Sequence, residues 1–217
     1  RALPILAKAS LVPAQLGDPR AGSITIRQLL DHSAGFDREV SGDPFFQPRL
    51  FEVARRQKVA PVTCEAIIKD SLERRLDFSP GERFAYSNLG YCMLGKIIEI
   101  VAGESYAAYV SREVLRPASG RDFVAGRSIE TLPGETKYYP YGSEPRAPAA
   151  PGIAAPLGVP SPYGSYSIEN MDALGAWVAT PSDVLKFFLA IDGARGARLL
   201  SEESIGAMRG EPAFAPG

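Results

Sequence analysis

A phenol and a carboxamide two residues apart, Tyr86 and Asn88, are the side chains of this sequence best suited to chemistry. A phenol hydroxyl can donate or accept a hydrogen bond. A carboxamide presents a hydrogen-bond donor and an acceptor together. Both lie at the end of Phe78-Ser79-Pro80-Gly81-Glu82-Arg83-Phe84-Ala85-Tyr86-Ser87-Asn88, where a Pro-Gly turn and a short aromatic run meet a helical pattern. Ser87 or Asn88 can cap that helix, because a short side-chain oxygen accepts from the free N–H groups of the first turn. Such a loop edge aims both groups at a ligand. A plainer reading has Tyr86 packing a core edge and Asn88 serving only as a cap.

The remaining candidates are weaker. His32 is the single imidazole. It falls on the last turn of a helix predicted from Ile26 to about His32, where an imidazole bonds terminal carbonyls and suits the helix dipole, so it reads as structural. Cys64 and Cys92 could pair, but two cysteines make no framework. Cys92 lies in the helical pattern Leu89, Cys92, Met93, Lys96, Ile97, and the reading is a buried free thiol. One His and two Cys give no metal-ligand spacing, so no metal and no cofactor are expected.

These residues need a scaffold, and the pattern along the chain supplies one. Residues 1–23 read as an irregular lead-in rich in Pro, Gly and Ala. Thr25 caps the short helix ending near His32, with Gly35 in the closing turn. Residues 44–59 fit a helix with loose ends, with Arg55, Arg56 and Lys58 as a solvated face. Thr63 begins the next helix, burying Ile67, Ile68, Leu72 and Leu76. Leu89 to Val101 is the strongest helix, and Gly90 and Gly95 permit a close neighbour despite their cost. Gly103 ends it, and Ser105 caps another that runs to about Leu115. Residues 117–170 change character, embedding Tyr138-Tyr139-Pro140-Tyr141 and Tyr163-Gly164-Ser165-Tyr166 in Pro, Gly, Ala and Ser. A loop so long is functional or disordered; its aromatics either line a cleft or pin the loop to the core. Thr180 and Pro181 open a helix that stops before Gly193, and a last one runs from Ser201 to about Arg209.

Composition bounds the answer. The 217 residues are 45% hydrophobic and 23% charged, ordinary for a globular chain. A formal charge of −1 gives no reason to expect nucleic acid as a partner. No apolar run approaches the roughly 20 residues needed to span a bilayer.

Three segments then carry a resemblance. Phe78 to Tyr91 is similar to the Tyr-x-Asn region of the serine β-lactamase and penicillin-binding-protein family, which includes class C β-lactamases, D-alanyl-D-alanine carboxypeptidases and related esterases. Upstream, Ile24-Thr25-Ile26-Arg27-Gln28-Leu29-Leu30-Asp31-His32-Ser33-Ala34-Gly35-Phe36 resembles the family's ITIRHLLTHTSGL segment. Downstream, residues 174–187 resemble its AGGLVSTAEDLARF segment. The three occur in the family's order. The resemblance implies an acyl-enzyme mechanism on a small-molecule or peptide substrate: a β-lactam, a D-amino-acid peptide or a small ester. Tyr86 would be the acid/base and Asn88 the substrate-orienting group, with no role for Ser87.

The sequence also departs from the family. It holds no Ser-x-x-Lys and no Lys-[Ser/Thr]-Gly, and its His is not followed by x-Gly. In the family the nucleophile precedes the ITIRHLL-like segment and the third motif follows the last matched one. The expectation is therefore the α-rich central portion of the α+β serine β-lactamase/DD-peptidase fold, with most of the antiparallel sheet missing. Within one partial domain over 1–217, residues 24–116 would be the helical region with Tyr-Ser-Asn, 117–170 the long loop and 171–210 the closing helices. Such a piece is expected to be inactive alone and to self-associate, or to meet a complementing chain, through exposed apolar helix faces. The alternative is a non-catalytic scaffold of the same fold. The true start of the natural protein leaves its localisation open, though the resemblance points to bacterial, exported proteins.

Overall fold

The computed structural model describes residues 1–118, 122–139, 146–155, 158–193 and 199–210. Helix α1 (Leu3–Leu6) leads, followed by short 3-10 turns over Ala7–Ala9 and Pro19–Ser23. Then come α2 (Ile26–Leu30), α3 (Arg38–Ser41), α4 (Arg49–Gln57), α5 (Cys64–Leu72), α6 (Asn88–Ala102) and α7 (Tyr106–Val110), the last continuing as a π-turn over Ser111–Leu115. Farther along the chain come α8 (Pro181–Asp192) and α9 (Glu202–Arg209). Strand β1 (Val124–Ala125) pairs antiparallel with β2 (Trp177–Val178), Val124 opposite Val178 and Ala125 opposite Trp177. The fold is thus helix-rich with little sheet, as the resemblance implied.

Helix α6 is the hub, with α1, α2, α5 and α7 packed against it. Leu6, Ile24, Leu29, Val53, Ile67, Ile68 and Met93 are completely buried around it. Both glycines of α6 act as expected. A methyl on Gly90 would meet the Leu29 carbonyl oxygen at 3.3 Å, and one on Gly95 would meet the Ala173 methyl at 2.6 Å. The start of α2 is a capping box, Thr25 and Gln28 exchanging side-chain-to-backbone bonds. Thr180 caps α8 by accepting from the Asp183 N–H.

Four expectations change. Residues 1–23 are not a loose lead-in: the Ala2 N–H donates to the Ile24 carbonyl at 3.0 Å and Ala2, Leu3, Leu6 and Leu11 are buried. Elements of three to five residues are too short for periodicity to reveal them. Next, Cys64 and Cys92 form a disulfide, with Cα atoms 6.2 Å apart, instead of leaving a free thiol at Cys92. Packing of α5 on α6 brings the first residue of one against the second turn of the other. Third, Arg56 does not simply face solvent with Arg55 and Lys58; its Nε donates to the buried Asp70 at 2.6 Å. Finally, α2 ends at Leu30, and His32 lies beyond it in the left-handed region at φ 55°.

Candidate active site

Tyr86-Ser87-Asn88 sits where the extended run Arg83 to Tyr86 turns into α6. Ser87, not Asn88, is the cap: its Oγ accepts from the Gly90 N–H at 3.3 Å, and Asn88 is the first helical residue. The run is held by the turn that follows α2. The Ala85 N–H donates to the His32 carbonyl at 2.8 Å, and the Gly81 N–H to the Ser33 carbonyl at 2.7 Å. The two amino-terminal segments that carry the resemblance are thus bonded side by side.

The side chains then form a chain of contacts. The Tyr86 hydroxyl donates to Asn88 Oδ1 at 3.0 Å. Asn88 Nδ2 donates to Asp43 Oδ2 at 2.7 Å. The ring of Tyr86 lies against His32, centroids 4.7 Å apart, and the Arg38 guanidinium sits 4.9 Å from its centroid on a cation–π contact. Tyr86 is 42% exposed, so the phenol is supported on its faces yet open to a ligand.

The His32 backbone N–H bonds the helix-end Leu29 carbonyl at 3.4 Å, but its imidazole turns elsewhere. Its Nδ1 accepts from the Ser87 N–H at 3.1 Å, inside the triplet itself. Stacking with Tyr91 at 4.9 Å completes an aromatic layer of Tyr86, His32 and Tyr91. Burial pushes the His32 imidazole below its ordinary value, against the opposing charge of Asp31. An acceptor Nδ1 places the ring proton on Nε2. Tyr91 donates to the Leu30 carbonyl at 3.2 Å, and burial, with the charge of Asp31, pushes its phenol up.

Tyr86 and Asn88 border a cavity of about 430 Å³ with Phe46, Tyr138, Tyr166 and Trp177. Within the 117–170 stretch, Tyr138 and Tyr166 line this cavity, whereas Tyr163 pins the loop by accepting the Tyr138 N–H at 2.7 Å. Both readings of the aromatics hold, for different rings. Tyr141 lies outside the described residues. The Trp177 indole donates to the Asp172 carbonyl at 2.7 Å, fixing its plane on the cavity wall.

Sequence reasoning picked Tyr86 and Asn88, and they meet. It missed Asp43 and Arg38, which carry no motif and reach the triplet only through folding. His32 it noticed but set apart from the triplet it contacts.

The Beta-lactamase family profile matches residues 3–216. This chain belongs to the Beta-lactamase family. The D-amino acid amidase from Ochrobactrum anthropi SV3 has a similar fold, with a TM-score of 0.61 and 26% identity over 100% of this chain and 59% of that one. The D-stereospecific amidohydrolase from Streptomyces sp. shares the fold at 21% identity and a TM-score of 0.58, covering 99% of this chain and 63% of that one. Among curated proteins, Protein flp of Staphylococcus aureus (strain N315) is 28% identical over 171 residues, 76% of this chain and 30% of flp. The chain spans less than a third of the length of the first curated relatives it matches.

Proposed function

We propose that these residues are the Tyr-x-Asn side of the active site of a serine hydrolase that works through an acyl-enzyme on an amide or ester. The observation that carries this reading is the Tyr86 hydroxyl bonded to Asn88 Oδ1 at 3.0 Å on the edge of an aromatic-lined cavity. Tyr86 would carry the proton between nucleophile and leaving group, and Asn88 would orient the scissile amide. The family match and the printed activity of the Ochrobactrum amidase support hydrolysis of an amide. A β-lactam, a D-amino-acid peptide and a small ester are the substrate classes to try.

The nucleophile belongs, on this reading, to residues outside these 217, since no Ser-x-x-Lys occurs among them. The segment by itself would then not turn over substrate. It would also self-associate, because Leu185 and Phe188 of α8 are 59% and 60% exposed. The test is hydrolysis of nitrocefin and p-nitrophenyl acetate by the natural full-length polypeptide. A Tyr86-dependent rate supports the proposal. A full-length protein inert to a broad amide and ester panel leaves the non-catalytic scaffold as the reading.

A further inference from the structure

An asparagine beside a reacting group has two orientations that exchange its oxygen for its nitrogen, and only its neighbours choose between them. Here the choice is made by Asp43. An ionised carboxylate can only accept, and Asp43 Oδ2 lies 2.7 Å from the Asn88 carboxamide, so the nitrogen must face it. The oxygen is thereby turned to the Tyr86 hydroxyl, 3.0 Å away. Asp43 is itself held: its Oδ1 accepts the Phe45 N–H at 3.0 Å, its carbonyl accepts the Phe46 N–H at 3.1 Å, and Phe45 is buried to 1% exposure. The preceding Gly42, at φ 77°, lets the chain turn into this position. Among the described residues, no other side chain bonds the Asn88 nitrogen.

We propose that Asp43 is a positioning residue for the Tyr86–Asn88 pair, and this rests on the hydrolase reading of that site. It fixes the carboxamide so that the oxygen receives the Tyr86 hydroxyl hydrogen. One Nδ2 hydrogen goes to Asp43 and the other stays available for a substrate carbonyl. Without Asp43 the amide is free to flip. A substrate carbonyl then meets an acceptor instead of a donor, and the phenol loses the acceptor that parks its hydrogen. Asp43 touches no substrate in this scheme; it acts through Asn88.

The experiment is a double-mutant cycle in the full-length protein with p-nitrophenyl acetate, using Asp43→Ala, Asp43→Asn, Asn88→Ala and the Asp43→Ala/Asn88→Ala pair, with Tyr86→Phe beside them. Asp43→Ala should lower kcat about 10- to 100-fold with KM changed less than about 3-fold, as expected when an interaction serves the transition state. Asp43→Asn, which can still offer an oxygen to Asn88, should recover part of the loss. The double variant should be no slower than Asn88→Ala alone, since residues acting through one another are not additive. Multiplying losses, or an Asp43→Ala variant with unchanged kcat, would overturn the assignment. If wild type and Tyr86→Phe are equally inert, the hydrolase reading fails by itself. The geometry is then read by NMR of ¹⁵N-asparagine-labelled full-length protein. The Asn88 side-chain amide proton should exchange slowly and move in Asp43→Asn, and an unmoved, fast-exchanging proton overturns the contact.

Discussion

Asp70 is the most consequential charge in the scaffold, and replacing it with Asn tests how the helices under the site are held. Its side chain is completely buried, yet it accepts from Arg49 at 2.7 Å, Arg56 at 2.6 Å and Arg74 at 3.0 Å. Arg56 and Arg74 have side chains 37% and 30% exposed and further partners in Glu73 and Glu52. Arg49, only 8% exposed, keeps just Glu52 when Asp70 is neutralised. Removing one partner of a buried pair costs about 3–5 kcal/mol. Asn retains one acceptor oxygen, so the lower end, about 3 kcal/mol, is the expected loss, or about 6–12 °C in Tm for a chain of this size. Burial pushes the Asp70 carboxyl up, the largest single influence, but the bonds from Arg56 and Arg49 and the nearby positive charge together hold it below the ordinary value. A depressed folded pKa means the stabilisation is present above the unfolded value of about 3.9 and is lost as pH falls through the folded one. Urea unfolding from pH 7 to pH 2 should therefore be less steep in pH for Asp70→Asn below about pH 4. A loss under about 1 kcal/mol at pH 7, the level of an exposed ion pair, would refute the reasoning.

Gly95→Ala puts a methyl 2.6 Å from the Ala173 methyl, so overpacking of about 1–3 kcal/mol should exceed the helix-propensity gain of about 1 kcal/mol; adding Ala173→Gly should restore stability in thermal melts. His32, the single histidine, should titrate in one NMR signal below about 6.5, with stability present above that value and falling as pH drops toward the folded pKa; a midpoint at or above 6.5 contradicts the burial of its ring. The Cys64–Cys92 bridge closes a loop with a separation of 28 residues, so Cys92→Ser should cost about 3–4 kcal/mol by the chain-entropy account. Unreduced and unfolded, these 217 residues should show no thiol to Ellman's reagent.

Local signals were legible from the sequence wherever one residue sufficed to decide. Thr25, Ser105 and Thr180 cap the helices they open, and Gly103 and Gly193 close α6 and α8 at positive φ. The close approaches at Gly90 and Gly95 were readable too, since glycine in a strong helix needs a reason. What was hidden depends on distant partners. The disulfide needs α5 laid on α6, and the reach of Asp43 to Asn88 crosses a sequence separation of 45, a contact that no local periodicity encodes. His32 was misplaced by two residues at a helix end, where boundaries are least determined. That small shift changes its partner from a helix carbonyl to the Ser87 N–H.

The central claim is that Tyr86 serves acyl transfer. The direct measurement is the rate of p-nitrophenol release from p-nitrophenyl acetate by the natural full-length polypeptide and its Tyr86→Phe variant, with mass spectrometry of the quenched protein for an acetyl adduct. The account predicts an adduct on the wild type and a turnover about 10²- to 10⁴-fold slower in Tyr86→Phe, the usual worth of a positioned proton carrier. Equal rates in the two proteins, or no acetyl adduct in either, would contradict it.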